Sequence, residues 1–106
     1  MASRPLYVID QSTARVAALD VAPVGDHFEG TISLETTPPQ LRRLFEEYEE
    51  IVEGQALSLL DAIEEEIAAA GFRVLLEDGS VACMRNLQVF PSTSAVSFET
   101  CQPLPV

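Results

Sequence analysis

Residues 36–71 read TTPPQLRRLFEEYEEIVEGQALSLLDAIEEEIAAAG, and their apolar positions recur at the three- and four-residue spacing of an α-helix. The spacing continues through Gly54, so it predicts one long helix. Thr37 and Gln40 are spaced as a capping box at its start, and Gly71 is typical of the position just after a helix end. The predicted buried stripe comprises Leu41, Leu44, Phe45, Tyr48, Ile51, Val52, Ala56, Leu59, Leu60, Ile63, Ile67 and Ala70.

The length of this helix conflicts with the size of the chain. An unbroken helix from Pro38 to Ala70 would be about 50 Å long. A compact domain of 106 residues is only about 33 Å across. The helix therefore either bends near Gly54, where glycine costs about 0.5–1 kcal/mol relative to alanine, or extends onto a second subunit. We favour the bend.

Apolar runs separated by turn residues flank the helix on both sides, as in antiparallel strands. LYVI, ARVAALDV and FEGTISLE precede it. In the third run Phe28, Ile32 and Leu34 share one face, on which Gly30 marks a bulge or a close approach of the helix. After the helix, FRVLL and VACM enclose a tight turn at Asp78-Gly79, and LQVF and AVSFE form a second hairpin.

The predicted fold class is α+β. We expect an antiparallel sheet in the order β-β-β-α-β-β-β, with one long helix, bent at Gly54, packed across one face. Residues 1–106 are predicted to form a single domain, with residues 100–106 as an extended, Pro-rich tail.

The charge and the cysteine content limit which functional classes fit the sequence. The net charge is −11 and all six basic residues are arginines, which argues against nucleic acid or an anionic membrane as a partner and favours a basic protein. The sequence has neither a signal-peptide pattern nor an apolar run of the roughly 20 residues that span a bilayer. Cys83 and Cys101 lack metal-ligand spacing. We expect a cytoplasmic, reducing location, with a single disulfide between the two cysteines as the alternative.

The sequence offers little for catalysis or for metal binding. His27 is the only histidine, and we expect it in a surface loop because no nucleophile has a predictable place beside it. Among the carboxylates of the helix, only Glu49 and Glu66 lie near the edges of the apolar stripe, where they would be partly covered. The other helix carboxylates should be solvated. We therefore predict a non-catalytic protein without a cofactor or a metal.

Nine of the seventeen carboxylates fall within residues 46–66, a segment without a basic residue. Like-charge pairs at helical spacing cost about 0.2–0.5 kcal/mol each, so this surface works against local stability and is a candidate for recognition. Leu57 lies among the carboxylates and would be an apolar anchor. The predicted partner-binding residues are Glu46, Glu50, Glu53, Leu57, Asp61 and Glu64.

Four interpretations of the chain remain open. We favour a protein-binding module, such as an immunity- or inhibitor-type protein that recognises a basic partner through the acidic helix face. The second is a face that is only solvated, as in acidic or halophilic proteomes. The third is a ligand-binding domain or small enzyme with a pocket between sheet and helix, using His27 and a buried carboxylate. The fourth is a structural homodimer.

Overall fold

The computed structural model describes residues 3–101 and contains six antiparallel strands that close into a barrel. The strands follow one another around the barrel in the order β1-β2-β3-β6-β5-β4, and β4 pairs with β1. The helical segment lies between β3 and β4. In chain order the elements are β1 (Arg4–Ile9), β2 (Arg15–Val24), β3 (His27–Ser33), α1 (Pro39–Glu53), a 3-10 turn (Leu57–Leu59), α2 (Leu60–Ala69), β4 (Arg73–Leu75), β5 (Val81–Phe90) and β6 (Ala95–Thr100).

The prediction of an open sheet with one long helix across one face is wrong. The sheet closes because β1 pairs with β4, with Val8 opposite Val74. This pairing joins distant parts of the chain, and a strand shows the same apolar alternation whether its sheet is open or closed. The local patterns that predict strands therefore carry no information about closure.

Three local features of the strands are of the kind that bends and twists a sheet. Gly30 lies between Val21 of β2 and Val96 of β6. A Cβ atom on Gly30 would lie 2.0 Å from the backbone oxygen of Asp20, so the close approach at this glycine is made by β2 and not by the helix. The register shifts in the β1–β2 pair between Val8 and Ile9, where Val16 of β2 is the extra residue, and in the β5–β6 pair after residue 85. Such irregularities increase the local twist of a sheet.

The predicted long helix does not bend at Gly54 but ends there. Gly54 keeps helical backbone angles, and Gln55 adopts a left-handed conformation with a φ of 56°. The amide of Ala56 donates to the carbonyl of Ile51 at 3.1 Å, and the amide of Gln55 donates to that of Val52 at 3.2 Å. This pair of bonds defines a Schellman motif with glutamine at the position that usually carries glycine, so the sequence gives little sign of the break.

The two outer ends of the helical segment differ in how well they were predicted. At the start, the capping box is absent, since the buried Thr37 hydroxyl donates instead to the backbone oxygen of Val16 at 2.5 Å, and α1 has no side-chain cap. At the end, α2 stops just before Gly71, as predicted, and Gly71 has a φ of 68°. The side-chain amide of Gln11 donates to the carbonyl of Ala69 at 3.0 Å and satisfies part of this helix end.

The hydrophobic core is shared by the barrel interior and the buried faces of both helices. Helix α1 packs against β5 and α2. The ring centroids of Phe45 in α1 and Phe72 are 5.6 Å apart, and those of Tyr48 and Phe90 are 6.0 Å apart. The core includes Leu6, Val8, Ala17, Leu19, Val21, Ile32, Val74, Ala82, Val89, Val96 and Phe98 from the strands, and Phe45, Tyr48, Ile51, Ile63 and Ile67 from the helices.

Both predicted hairpins are present after α2. The first turns at Asp78-Gly79, where Gly79 has a φ of 89°, and the second turns at residues 91–94 between β5 and β6. VACM and LQVF, read from the sequence as separate runs, belong to the single strand β5. Of the predicted tail, Thr100 is the last residue of β6, and residues 102–106 lie outside the described residues.

Cys83 and Cys101 form a disulfide, with their Cα atoms 5.3 Å apart. This is the alternative that the sequence left open, rather than two separate thiols. The backbone amide of Cys101 also donates to the carbonyl of Cys83 at 3.1 Å. The disulfide thus links β5 to the residue that follows β6.

Candidate functional site

All six predicted partner-binding residues are exposed. Three lie on α1 (Glu46, Glu50 and Glu53), Leu57 opens the 3-10 turn, and Asp61 and Glu64 lie on α2. None of their carboxylates takes part in the ion pairs that residues 3–101 form. They therefore carry negative charge that no ion pair within residues 3–101 compensates.

The six residues do not form the single helix face that the sequence predicts. Because the helix ends at Gly54, the angles assumed for one continuous helix do not hold across the break. Glu46 borders a cleft formed with Leu34, Glu35 and Pro91. Glu64 borders a different cleft, formed with residues of β5. The negative charge is therefore spread over two helices.

The centre of the segment is its most distinctive part. Leu57 is 64% exposed and Leu59 is 55% exposed, which makes them the two most exposed large apolar side chains among residues 3–101. Glu53 ends α1 four residues before Leu57, and Asp61 lies in the first turn of α2 four residues after it. We refer to Glu53, Leu57, Leu59 and Asp61 as the connector surface.

The exposure of Leu59 contradicts its predicted place in the buried stripe. The prediction assumed a helix register that continues through Gly54, whereas the left-handed Gln55 resets the direction of the chain. The environment of Asp61 also differs from the predicted one. Because a new helix begins at Leu60, Asp61 lies in its first turn, where the helix dipole favours a carboxylate. The break therefore exposes two leucines that lie two residues apart in one turn, followed two residues later by an acid that the helix dipole favours.

Glu49 and Glu66, the carboxylates predicted to be partly covered, have different environments. Glu49 is buried, with 8% of its surface exposed. It accepts hydrogen bonds from the backbone amide of Ser92 at 3.1 Å and from the Ser92 hydroxyl at 2.5 Å. Glu66 is exposed. Glu49 thus connects α1 to the β5–β6 turn, and both of its carboxylate oxygens take part in that connection.

The pocket interpretation combines His27 with a buried carboxylate, but the buried Glu49 is not among the contacts of His27. His27 is the first residue of β3. Its Nε2 atom lies 2.5 Å from Oε2 of Glu29, and its Nδ1 atom lies 3.3 Å from Oδ1 of Asp26. The hydrogen bond to Glu29, followed by that to Asp26, raises the pKa of His27 above its ordinary value. The β5–β6 turn that binds Glu49 contacts β3 at Ile32, five residues and about 16 Å along the strand from His27.

A pocket between helix and sheet does exist, but apart from Glu64 none of its lining residues was predicted from the sequence to bind a ligand or a partner. It is a cleft of about 370 Å³ between α2 and β5, which we call the α2–β5 cleft. Its apolar side chains come from Ile67 and Ala68 of α2, Phe72, and Met84 and Leu87 of β5, and the exposed Glu64 also lines it. The sequence signal that was available is the polar pair at residues 85–86, which interrupts the apolar runs of β5.

Glu64 also acts electrostatically on the side of the core near this cleft. Burial raises the pKa of the Tyr48 hydroxyl above its ordinary value, and the negative charge of Glu64 raises it further. The Glu64 carboxylate therefore lies close enough to α1 to influence the hydroxyl of the buried Tyr48.

Within residues 3–101, no group of three or more His, Cys, Asp or Glu side chains is arranged to hold a metal ion. In the same part of the chain no helix has the length and apolar character needed to cross a membrane. In comparisons with known proteins, no family model matches the sequence, and neither a curated protein nor a solved structure matches the chain at a significant level.

Proposed function

We propose that this protein is a non-catalytic binding module that recognises a basic protein through the connector surface. Leu57 and Leu59 supply the apolar contact, and the carboxylates of the helical segment attract and orient the partner. An immunity- or inhibitor-type role, in which an acidic protein covers a cationic one, is the functional class that this chemistry fits.

The exposure of Leu57 and Leu59 is the observation that carries the proposal. Single exposed leucines are ordinary in soluble proteins. Here the two most exposed large apolar side chains of residues 3–101 occupy one three-residue turn, and Glu53 and Asp61 flank that turn in the sequence. An apolar centre inside a charged rim is the usual anatomy of a protein interface.

The charge of the chain specifies the chemistry of the partner. With a net charge of −11 and no ion pair to the helix carboxylates among the described residues, the segment repels acidic surfaces. A basic partner would gain a faster, salt-dependent encounter. A second copy of the chain would bring like charges together, which disfavours a homodimer through this surface.

The test begins with affinity capture from a lysate of the source cells, followed by purification of any captured basic protein and titration against the wild type. Leu57→Ala should weaken binding about tenfold or more at every salt concentration, because it removes a buried contact. Glu53→Gln with Asp61→Asn should weaken binding mainly at low salt.

The control is Asp20→Asn with Glu35→Gln, which removes the same number of exposed charges outside the helices. Equal weakening by the control and by the connector variant would mean that only net charge matters and would refute the proposal. Binding that survives Leu57→Ala would refute the anchor. A doubled mass in light scattering that is lost in Leu57→Ala would identify a homodimer instead.

A further inference from the structure

The α2–β5 cleft depends on a break in the regular pairing of β5. In the β5–β6 pair, Arg85 is opposite Glu99 and Gln88 is opposite Ser97. Two residues of β5, Asn86 and Leu87, therefore lie opposite the one residue of β6 between Ser97 and Glu99. This is a β-bulge, and Asn86 occupies the left-handed region with a φ of 52°. Asparagine tolerates this conformation better than most residues.

The bulge determines which side chains reach the cleft. Met84 and Leu87 are three residues apart, and in a regular strand they would point to opposite faces of the sheet. With the extra residue between them, both line the α2–β5 cleft. Both remain partly exposed while packing against the core. The cleft therefore has an apolar floor that the protein itself leaves incompletely covered.

The charges at the cleft are unevenly balanced. Arg85 and Glu64 are the two charged residues that line it. Arg85 lies 3.4 Å from Glu99, whose carboxylate also accepts a hydrogen bond of 2.6 Å from the side-chain amide of Asn86. Glu64 makes no ion pair with any of the residues 3–101. The uncompensated charge at the border of the cleft is therefore negative.

We propose that the α2–β5 cleft binds a small organic amine, with the apolar body of the ligand on Ile67, Met84 and Leu87 and its ammonium group against Glu64. The volume of about 370 Å³ lies in the range of small-molecule pockets. The apolar floor supplies affinity, and the unpaired carboxylate selects a cation over a neutral or anionic ligand of the same shape. This inference does not depend on the proposed protein-binding function.

The test uses 2-phenylethylamine as the probe and 3-phenylpropionate as the anion of similar size, each titrated into isotopically labelled full-length protein at physiological ionic strength. We expect saturable shifts of the backbone amide signals of Ile67, Met84, Asn86 and Leu87 with the amine. The anion should give no saturable shifts there. Equal binding of the two probes would overturn the charge assignment.

Two variants with matched controls test the position of the ligand. Glu64→Gln should weaken amine binding about two- to fivefold, as for an exposed ion pair, whereas Glu65→Gln on the neighbouring exposed carboxylate should have no such effect. Ala68→Phe should fill the cleft and abolish binding, whereas Ala62→Phe, on α2 outside the cleft, should not. Shifts spread over the acidic surface, or equal effects of variant and control, would overturn the proposal.

Discussion

The carboxylate of Glu49 accepts both hydrogen bonds that Ser92 offers, one from the backbone amide at 3.1 Å and one from the hydroxyl at 2.5 Å. Glu49 lies on α1 and Ser92 in the β5–β6 turn. The pair therefore fixes the helical segment to the barrel by polar contacts, next to the aromatic packing of Tyr48 on Phe90. Two hydrogen bonds to one charged acceptor are among the stronger polar contacts in a protein.

Loss of this pair should destabilise the protein. We expect Glu49→Ala to lower the free energy of unfolding by about 1.5–3 kcal/mol, because it removes two charge-assisted hydrogen bonds from a buried position. Urea denaturation at neutral pH measures the change. Glu50→Ala, which truncates the adjacent exposed carboxylate, should change stability by less than about 0.5 kcal/mol. Similar losses in both variants would contradict the role of the Glu49–Ser92 contact.

Local structure was the part of this fold that the sequence could specify. The alternation in FEGTISLE places Ile32 in the core and Glu29 and Thr31 outside, as the structure has them. The turn at Asp78-Gly79 and the stop at Gly71 were also predictable, because these glycines occupy left-handed positions that other residues rarely adopt. Each of these features depends on a few adjacent residues.

Barrel closure and the helix break could not be predicted from such patterns. Closure depends on the pairing of β1 with β4, for which the sequence contains no local signal. The break places a glutamine in the left-handed position, whereas Gly54, where the bend was predicted, keeps a helical conformation. The exposed Leu59 and the α2–β5 cleft follow from these two events and from the bulge at Asn86, so they too were missed.

The left-handed Gln55 leads to a second prediction. A non-glycine residue in this region costs about 1–2 kcal/mol, part of which glycine offsets by its greater freedom in the unfolded chain. We expect Gln55→Gly to raise the free energy of unfolding by about 0.5–1 kcal/mol in thermal or urea denaturation. Gln55→Ala keeps the unfavourable conformation and should leave stability nearly unchanged. Destabilisation by Gln55→Gly would mean that the Gln55 side chain itself supports the break.

Gly30 leads to a third prediction, which concerns the closely packed strands of the barrel. A Cβ atom at this position would lie 2.0 Å from the Asp20 oxygen and 2.7 Å from the Cα atom of Val21. Backbone atoms cannot move away as a flexible side chain can, so Gly30→Ala should cost about 3 kcal/mol or more. Denaturation of the purified variant, or its loss from the soluble fraction, measures this cost.

Gly25 provides the control for Gly30. It has a φ of 64°, but a Cβ atom there would meet no other heavy atom within 4 Å. Gly25→Ala should therefore cost only the conformational term of about 1–2 kcal/mol. If the two alanine variants lose the same stability, the close approach of β2 to Gly30 does not limit the fold.

His27 leads to the last prediction, a pH dependence of stability. Its hydrogen bonds to Glu29 and then Asp26 raise its pKa in the folded protein above the ordinary value of about 6.5. Protonated His27 is therefore favoured by folding. Its contribution to stability is complete below the ordinary pKa and is lost as the pH rises through the raised folded pKa.

Because the chain has one histidine, its ring signals in an NMR titration can be assigned without ambiguity. Glu29→Gln should lower the pKa of His27 more than Asp26→Asn does, since the contact with Glu29 is 2.5 Å and that with Asp26 is 3.3 Å. Unfolding measured across the same pH range should show the loss of stability in wild type but not in His27→Ala. A His27 that titrates at its ordinary value, unchanged by Glu29→Gln, would show that the ring does not contact these carboxylates in solution.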